Sequence, residues 1–246
     1  MLGLMDWGIG GIGVYKVIKE QLGDVPVLYF SDTGVTPYGK MSRRELTQRL
    51  DTVIDFLEQH GASHILIGCN AASTAIDDLS DHGLPITGVI GPAVDLVTRI
   101  KPKRLGLIGG RRTVVSCAYR KRLAGRSINV EQRIAQPLSA LIETGDTGSE
   151  ELRAEAHRII GPLRKCSHIL LACTHYPAIG PVLQTMVSDE TELIDPANEL
   201  VKTVRKWRIA GSKNDLFLTT GDPDEMRRAA LAAFGVRISK PRQVSV

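Results

Sequence analysis

The sequence is poor in aromatic residues, at 4%, and no apolar run approaches the roughly 18 residues that a membrane helix needs. Its opening, "MLGLMDWGIGG", lacks the basic segment of a secretory signal, so a cytoplasmic location is expected, with no membrane partner. Cysteine is scarce as well. Cys69, Cys117, Cys166 and Cys173 show no C-x2-C pairing, which argues against both a zinc site and a disulfide framework. They read as free thiols in a reducing compartment. A strong charge of one sign is also missing: the net charge is +4, and the basic residues fall in short runs at 42–44, 111–112 and 120–122. Runs this short coat solvated helix faces and make no nucleic-acid surface, although a mild positive field suits a small anion.

What is present is an alternation of short apolar runs with amphipathic stretches, in a chain of 246 residues that is long enough to bury a core unaided. Strands are expected at 2–5, 27–30, 64–69, 86–90, 104–109, 128–134, 168–173, 191–194 and 215–219. Between them lie helical patterns such as 42–61, where Leu46, Leu50, Val53, Ile54 and Leu57 form one apolar stripe. Ser42 followed by Glu45 has the form of a capping box, and Gly61 is the expected C-cap. This alternation implies an α/β fold with mostly parallel sheets covered on both faces.

The chain also repeats itself. "LGLMD" begins at Leu2 and "LGLIG" at Leu105, while "HILIGC" begins at His64 and "HILLAC" at His168. The offsets, 103 and 104, point to two pseudo-symmetric α/β halves, each with a cysteine strand ending at Cys69 or Cys173.

"GIGGIG" at 8–13 fits G-x-G-x-x-G, and Asp32 lies where a dinucleotide site keeps its ribose-binding acid. An NAD-type site on Gly8, Gly10, Gly13 and Asp32 is therefore one reading. Asp6 and Trp7 intervene where the tight turn belongs, and the motif explains neither cysteine. The other reading is that the glycines allow close packing of helix on sheet.

Ligands of parallel α/β sheets bind at the carboxyl ends of the strands, where Cys69 and Cys173 both lie. If the halves face each other, the thiols flank one bound molecule, with the active site in the cleft between them. That arrangement suits inversion of a carbon centre: one thiolate takes a proton from one face, and one thiol gives a proton to the other. A thiol is mostly protonated at neutral pH, with a pKa near ~8.5, so neighbours that ionise it are needed. His175 is placed to assist Cys173, Asp6 to assist Cys69, and both cysteines precede helical patterns. Cys117, inside a helical pattern, and Cys166, in a turn, read as structural.

At these residues the chain resembles the glutamate racemase family, cofactor-independent amino-acid racemases that use two cysteines. "MDWGIGGIGV" resembles the opening segment of that family and "YFSDTGVTPYG" (29–39) a substrate loop. "GCNAAS" (68–73) and "ACTHYP" (172–177) resemble its catalytic segments, and "LTTGDPDEMRRAALAAFG" (218–235) its C-terminal signature. The resemblance implies two α/β domains, 1–95 with 208–246 and 96–207, and a cleft between them. It implies Cys69 and Cys173 as the acid–base pair, Asp6 and His175 as their helpers, and Glu143 as a further acid. Pro37, Tyr38, Gly39, Asn70, Thr113 and Thr174 fall where the family holds its substrate. It further implies no cofactor, a homodimer, and D-glutamate made for peptidoglycan. Three positions depart from the family: Trp7 replaces serine, Ala71 replaces threonine, and Gly110 stands where G-T is usual. Trp7 either turns away, supplies its N–H as a contact, or marks a different substrate such as aspartate. A non-catalytic ligand-binding relative is the remaining alternative.

Overall fold

A computed structural model of the chain describes residues 1–209, 211 and 214–246. The strands are β1 (Leu2–Asp6), β2 (Val27–Ser31), β3 (His64–Ile67), β4 (Ile86–Gly88), β5 (Leu105–Gly109), β6 (Val130–Ile134), β7 (His168–Ala172), β8 (Glu192–Ile194), β9 (Leu216–Thr219) and β10 (Arg242–Gln243). They form two sheets with the orders β10-β9-β2-β1-β3-β4 and β6-β5-β7-β8, and every pairing is parallel. Parallel strands need a crossover between them, and the amphipathic segments supply it as helices. The two-residue β10 was not apparent in the sequence, because "RQ" has neither apolar alternation nor β-branched residues.

The internal repetition is structural. Each half places its first strand between its second and third, with the fourth outside the third. The registers agree as well: Leu2 pairs with His64 in one sheet, and Leu105 pairs with His168 in the other. Equivalent residues therefore occupy equivalent places, and the loops after β3 and β7 are counterparts.

Helix Arg43–Gln59 shows how local sequence sets the layers. The Ser42 side chain accepts from the Glu45 N–H and the Glu45 carboxylate accepts from the Ser42 N–H, closing the capping box. Leu46, Leu50, Val53, Ile54 and Leu57 are buried against one face of the six-stranded sheet. Each such side chain contributes about 1.5–3 kcal/mol relative to exposure, so Leu50→Ala alone costs about 2–5 kcal/mol. The helix ends at His60, with Gly61 one residue beyond at φ 90°, a left-handed conformation that glycine adopts without strain. A second apolar cluster runs from Leu2 and Leu4 of β1 through Leu105 and Leu107 of β5 to Leu170 of β7, so the two sheets share a continuous core.

Cys117 does not lie within a helix. It has φ 57° at the junction between helices Arg111–Val115 and Ala118–Ala124. The helical period continues across this break, which is why the sequence pattern concealed it. No helix among the described residues is long and apolar enough to cross a membrane.

Candidate active site

Strand ends converge where the halves meet. Asp6 closes β1, Cys69 follows β3 by two residues, and Cys173 immediately follows β7. Cys69 packs with the apolar cluster under helix Arg43–Gln59, and Cys173 lies against the cluster shared by the sheets. Each thiol thus rests on its own layer, yet the two are close enough to act on each other electrostatically.

Their surroundings differ. The Cys69 thiol is pushed well above its usual range, first by burial and then by the Asp6 carboxyl, while the Ala72 N–H at the start of helix Asn70–Ser73 opposes the shift. Cys173 Sγ lies 3.5 Å from His175 Nδ1, and His175 Nε2 lies 2.5 Å from Glu143 Oε2. Burial alone would keep the imidazole neutral, but Cys173 and Glu143 outweigh it and hold the ring well above the ordinary histidine range. Glu143 also accepts from the Ile9 N–H at 3.0 Å. One thiol therefore sits where its proton is retained, and the other lies 3.5 Å from a ring held in its charged form. The segment after Cys173 turns helical only at Tyr176–Ile179, so His175, rather than a helix end next to the sulfur, is the charge at hand.

Asp6 is buried, and burial raises its pKa against the opposing pull of His175 and Thr174. Its Oδ2 accepts from Thr174 Oγ1 and its Oδ1 from the Trp7 N–H, both at 2.7 Å. Asn70 is 3% exposed; its Oδ1 accepts from the Tyr119 hydroxyl at 2.7 Å, while its Nδ2 has no partner among the described residues. Thr113 is buried in helix Arg111–Val115, on the facing side. The Tyr38 hydroxyl donates to Asp32 and is not free for a ligand, but neither the Tyr38 nor the Gly39 N–H makes a hydrogen bond among the described residues. Pro37 accepts from the Lys40 N–H, which fixes that turn. Ala71 is half-buried against the Cys69 cluster.

Trp7 turns towards the neighbouring loop, where its indole N–H donates to the Val35 carbonyl at 3.2 Å. It also lines a cavity of about 370 Å³ with Ser31, Glu143 and Met226, on the Glu143 side of the cleft.

The glycine motif resolves as close packing. A Cβ at Gly8 would collide with the Glu143 carboxyl, one at Gly10 with Thr174 and His175, and one at Gly13 with Phe234. The dinucleotide reading also lacks its acid. Asp32 is fully buried, and its two oxygens accept from Arg49, Tyr38 and Thr220. Among the described residues, no group of three His, Cys, Asp or Glu side chains is arranged to hold a metal ion.

Sequence reasoning missed Tyr119, Tyr176 and Arg112. Tyr119 fixes Asn70 from the opposite half, a contact that no spacing encodes. The buried Tyr176 hydroxyl is pushed above its usual pKa by burial and by Cys173; its place in "CTHYP" was the available signal. Arg112 donates to Thr74 and to the Met41 carbonyl, across the cleft.

Comparison with known proteins agrees with this geometry. Residues 2–204 match the family model described as Asp/Glu/Hydantoin racemase. The glutamate racemase of Synechococcus sp. (strain CC9605) is 33% identical over 204 residues, covering 80% of this chain and 76% of that protein. A glutamate racemase isoform from Bacillus anthracis superposes with a TM-score of 0.88 at 25% identity, covering 100% of this chain and 97% of that one. A glutamate racemase from Francisella tularensis, solved with D-glutamate, has the same fold: TM-score 0.88, 23% identity, covering 99% and 97%.

Proposed function

The chain belongs to the Asp/Glu/hydantoin racemase family and is an amino-acid racemase, and on that basis we propose that it interconverts L- and D-glutamate through Cys69 and Cys173. The observation that carries this reading is the placement of two thiols just after the equivalent strands β3 and β7, with Asp6 beside Cys69 and His175 3.5 Å from Cys173.

In this mechanism one sulfur, as thiolate, removes the Cα proton. The other, as thiol, protonates the opposite face, so the centre inverts. His175 and Glu143 balance charge on Cys173, and Asp6 exchanges a proton with Cys69. Each reverses its role with the direction of reaction. A pair of positioned acid–base groups of this kind supplies a factor of about 10²–10⁴ each. The unpartnered Asn70 Nδ2 and the Tyr38 and Gly39 N–H groups are the donors available for a substrate carboxylate.

The remaining family expectations go with this reading: two domains divided at 95/96 and 207/208, a homodimer, a cytoplasmic location and supply of D-glutamate to peptidoglycan. They rest on the likeness alone. The test is incubation in D2O with separate L- and D-amino acids, following the Cα proton by NMR. Glutamate is expected to exchange and epimerise without added cofactor. Faster exchange of aspartate would move the substrate, and no exchange of any amino acid would overturn the reading.

A further inference from the structure

Arg112 stands apart from the other enclosed arginines. Three arginines are partly buried: Arg49, Arg112 and Arg122. Arg49 pairs with Asp32, and Arg122 pairs with Asp77. Arg112 has no carboxylate partner among the described residues. Its Nε donates to Thr74 Oγ1 at 3.0 Å and its Nη1 to the Met41 carbonyl at 2.6 Å, and both acceptors are neutral. A guanidinium does not shed its proton, and enclosing it without a counter-charge is unfavourable, so the position calls for an anion.

The location says which anion. Arg112 lies between Gly110 and the buried Thr113, in the half that carries Cys173. Its partners lie in the other half. Thr74 closes the helix that begins directly after Cys69, and Met41 follows the Tyr38–Gly39 turn by two residues. The guanidinium therefore spans the cleft and is pinned to both loops that offer substrate donors. Burial and the neighbouring Arg43 pull its pKa down, and only Cys69 acts in the opposite sense. The Cys69 thiol is itself held in the protonated form and makes no hydrogen bond to Arg112, so it does not serve as the standing counter-ion. With Nε and one Nη1 hydrogen engaged, Nη2 and the second Nη1 hydrogen remain, the pair that grips a carboxylate through two parallel bonds.

We propose that Arg112 is a specificity-determining residue, whose guanidinium holds the side-chain carboxylate of a dicarboxylic amino acid in the cleft. The proposal rests on the racemase reading. It also accounts for the departures at Ala71 and Gly110: where two neutral hydroxyl donors are missing, a charged donor two residues from Gly110 takes the distal end of the substrate. A neutral amide in place of that carboxylate is refused because it presents an N–H group to a cation.

The experiment compares glutamate with glutamine in Cα deuterium exchange by the wild type, Arg112→Gln and Arg112→Lys, with melting temperature and circular dichroism as folding controls. Arg112→Gln is expected to lower kcat/KM for glutamate by roughly 10- to 100-fold, mainly through KM, with little change for glutamine. Arg112→Lys is expected to recover part of the loss. An equal loss on both substrates, or a loss confined to kcat, would overturn the proposal, because it would mean that Arg112 only fastens loops or tunes Cys69. No change with either variant would overturn it too.

A second measurement needs no variant. Glutarate is expected to raise the melting temperature of the wild type at concentrations at least about tenfold below those required of butyrate. Equal effects of the two would overturn the proposal. A wild type that exchanges no amino acid yet discriminates glutarate from butyrate would sink the racemase reading and leave the Arg112 assignment supported.

Discussion

Thr174 Oγ1 donates to Asp6 Oδ2 at 2.7 Å, and both side chains are buried. The residue after Cys173 thereby holds the carboxyl that neighbours Cys69, so the two sets of acid–base groups are joined by one hydrogen bond between the halves. Thr174→Val keeps the shape and removes the donor. The unpaired carboxyl oxygen is expected to cost about 1–3 kcal/mol of stability. The Asp6 pKa should rise further, because Thr174 is one of the groups that lower it. Denaturant unfolding and the pH–rate profile check both effects; an unchanged profile would mean that Asp6 takes no part in proton transfer.

Against burial, Cys173 and then Glu143 hold His175 in its charged form. The Glu143 carboxylate favours the imidazolium, and His175 titrates well above 6.5. With the folded value raised, this histidine contributes stability that is fully present below 6.5 and lost as pH rises through the folded value. Glu143→Gln removes the support, so the folded value falls and the limb of kcat/KM that requires the imidazolium moves to lower pH. A loss of about tenfold or more in kcat is expected near neutral pH. A pH–rate profile, with NMR titration of the His175 ring, measures both.

Gly8→Ala tests the meaning of the glycine motif. The added methyl would meet the Glu143 carboxyl and displace it from His175 and from the Ile9 N–H. Racemisation should fall about tenfold or more, comparable to Glu143→Gln, while a fluorescence titration with NAD(H) shows no tight binding to either protein. Retained activity would show that the gap left by Gly8 is not needed to seat Glu143.

Much of this fold was legible because buried parallel strands and capped helices have local signatures. The nine expected strands all form, with ends shifted by up to two residues. The repeat of Leu2 with His64 and Leu105 with His168 returned as a shared register. Chemistry was legible where one loop carries it, as in Cys173 with His175, because the spacing itself brings the atoms together. What stayed hidden was whatever the two halves make jointly. The Asn70–Tyr119 and Arg112–Met41 contacts join residues from opposite halves, and no periodicity reports them. Asp32 was misleading for a related reason, within one half: its partners Arg49 and Thr220 lie 17 and 188 positions away in the sequence.

The central claim is that Cys69 and Cys173 each handle one face of a single stereocentre. Cys69→Ser and Cys173→Ser, each confirmed as folded by circular dichroism, test it most directly when L- and D-glutamate racemisation is followed for both. The account predicts that each variant slows racemisation by about 10²–10⁴-fold in both directions, whereas Cys117→Ser stays within a few-fold of the wild type. Racemisation preserved in either Cys69→Ser or Cys173→Ser would contradict the account.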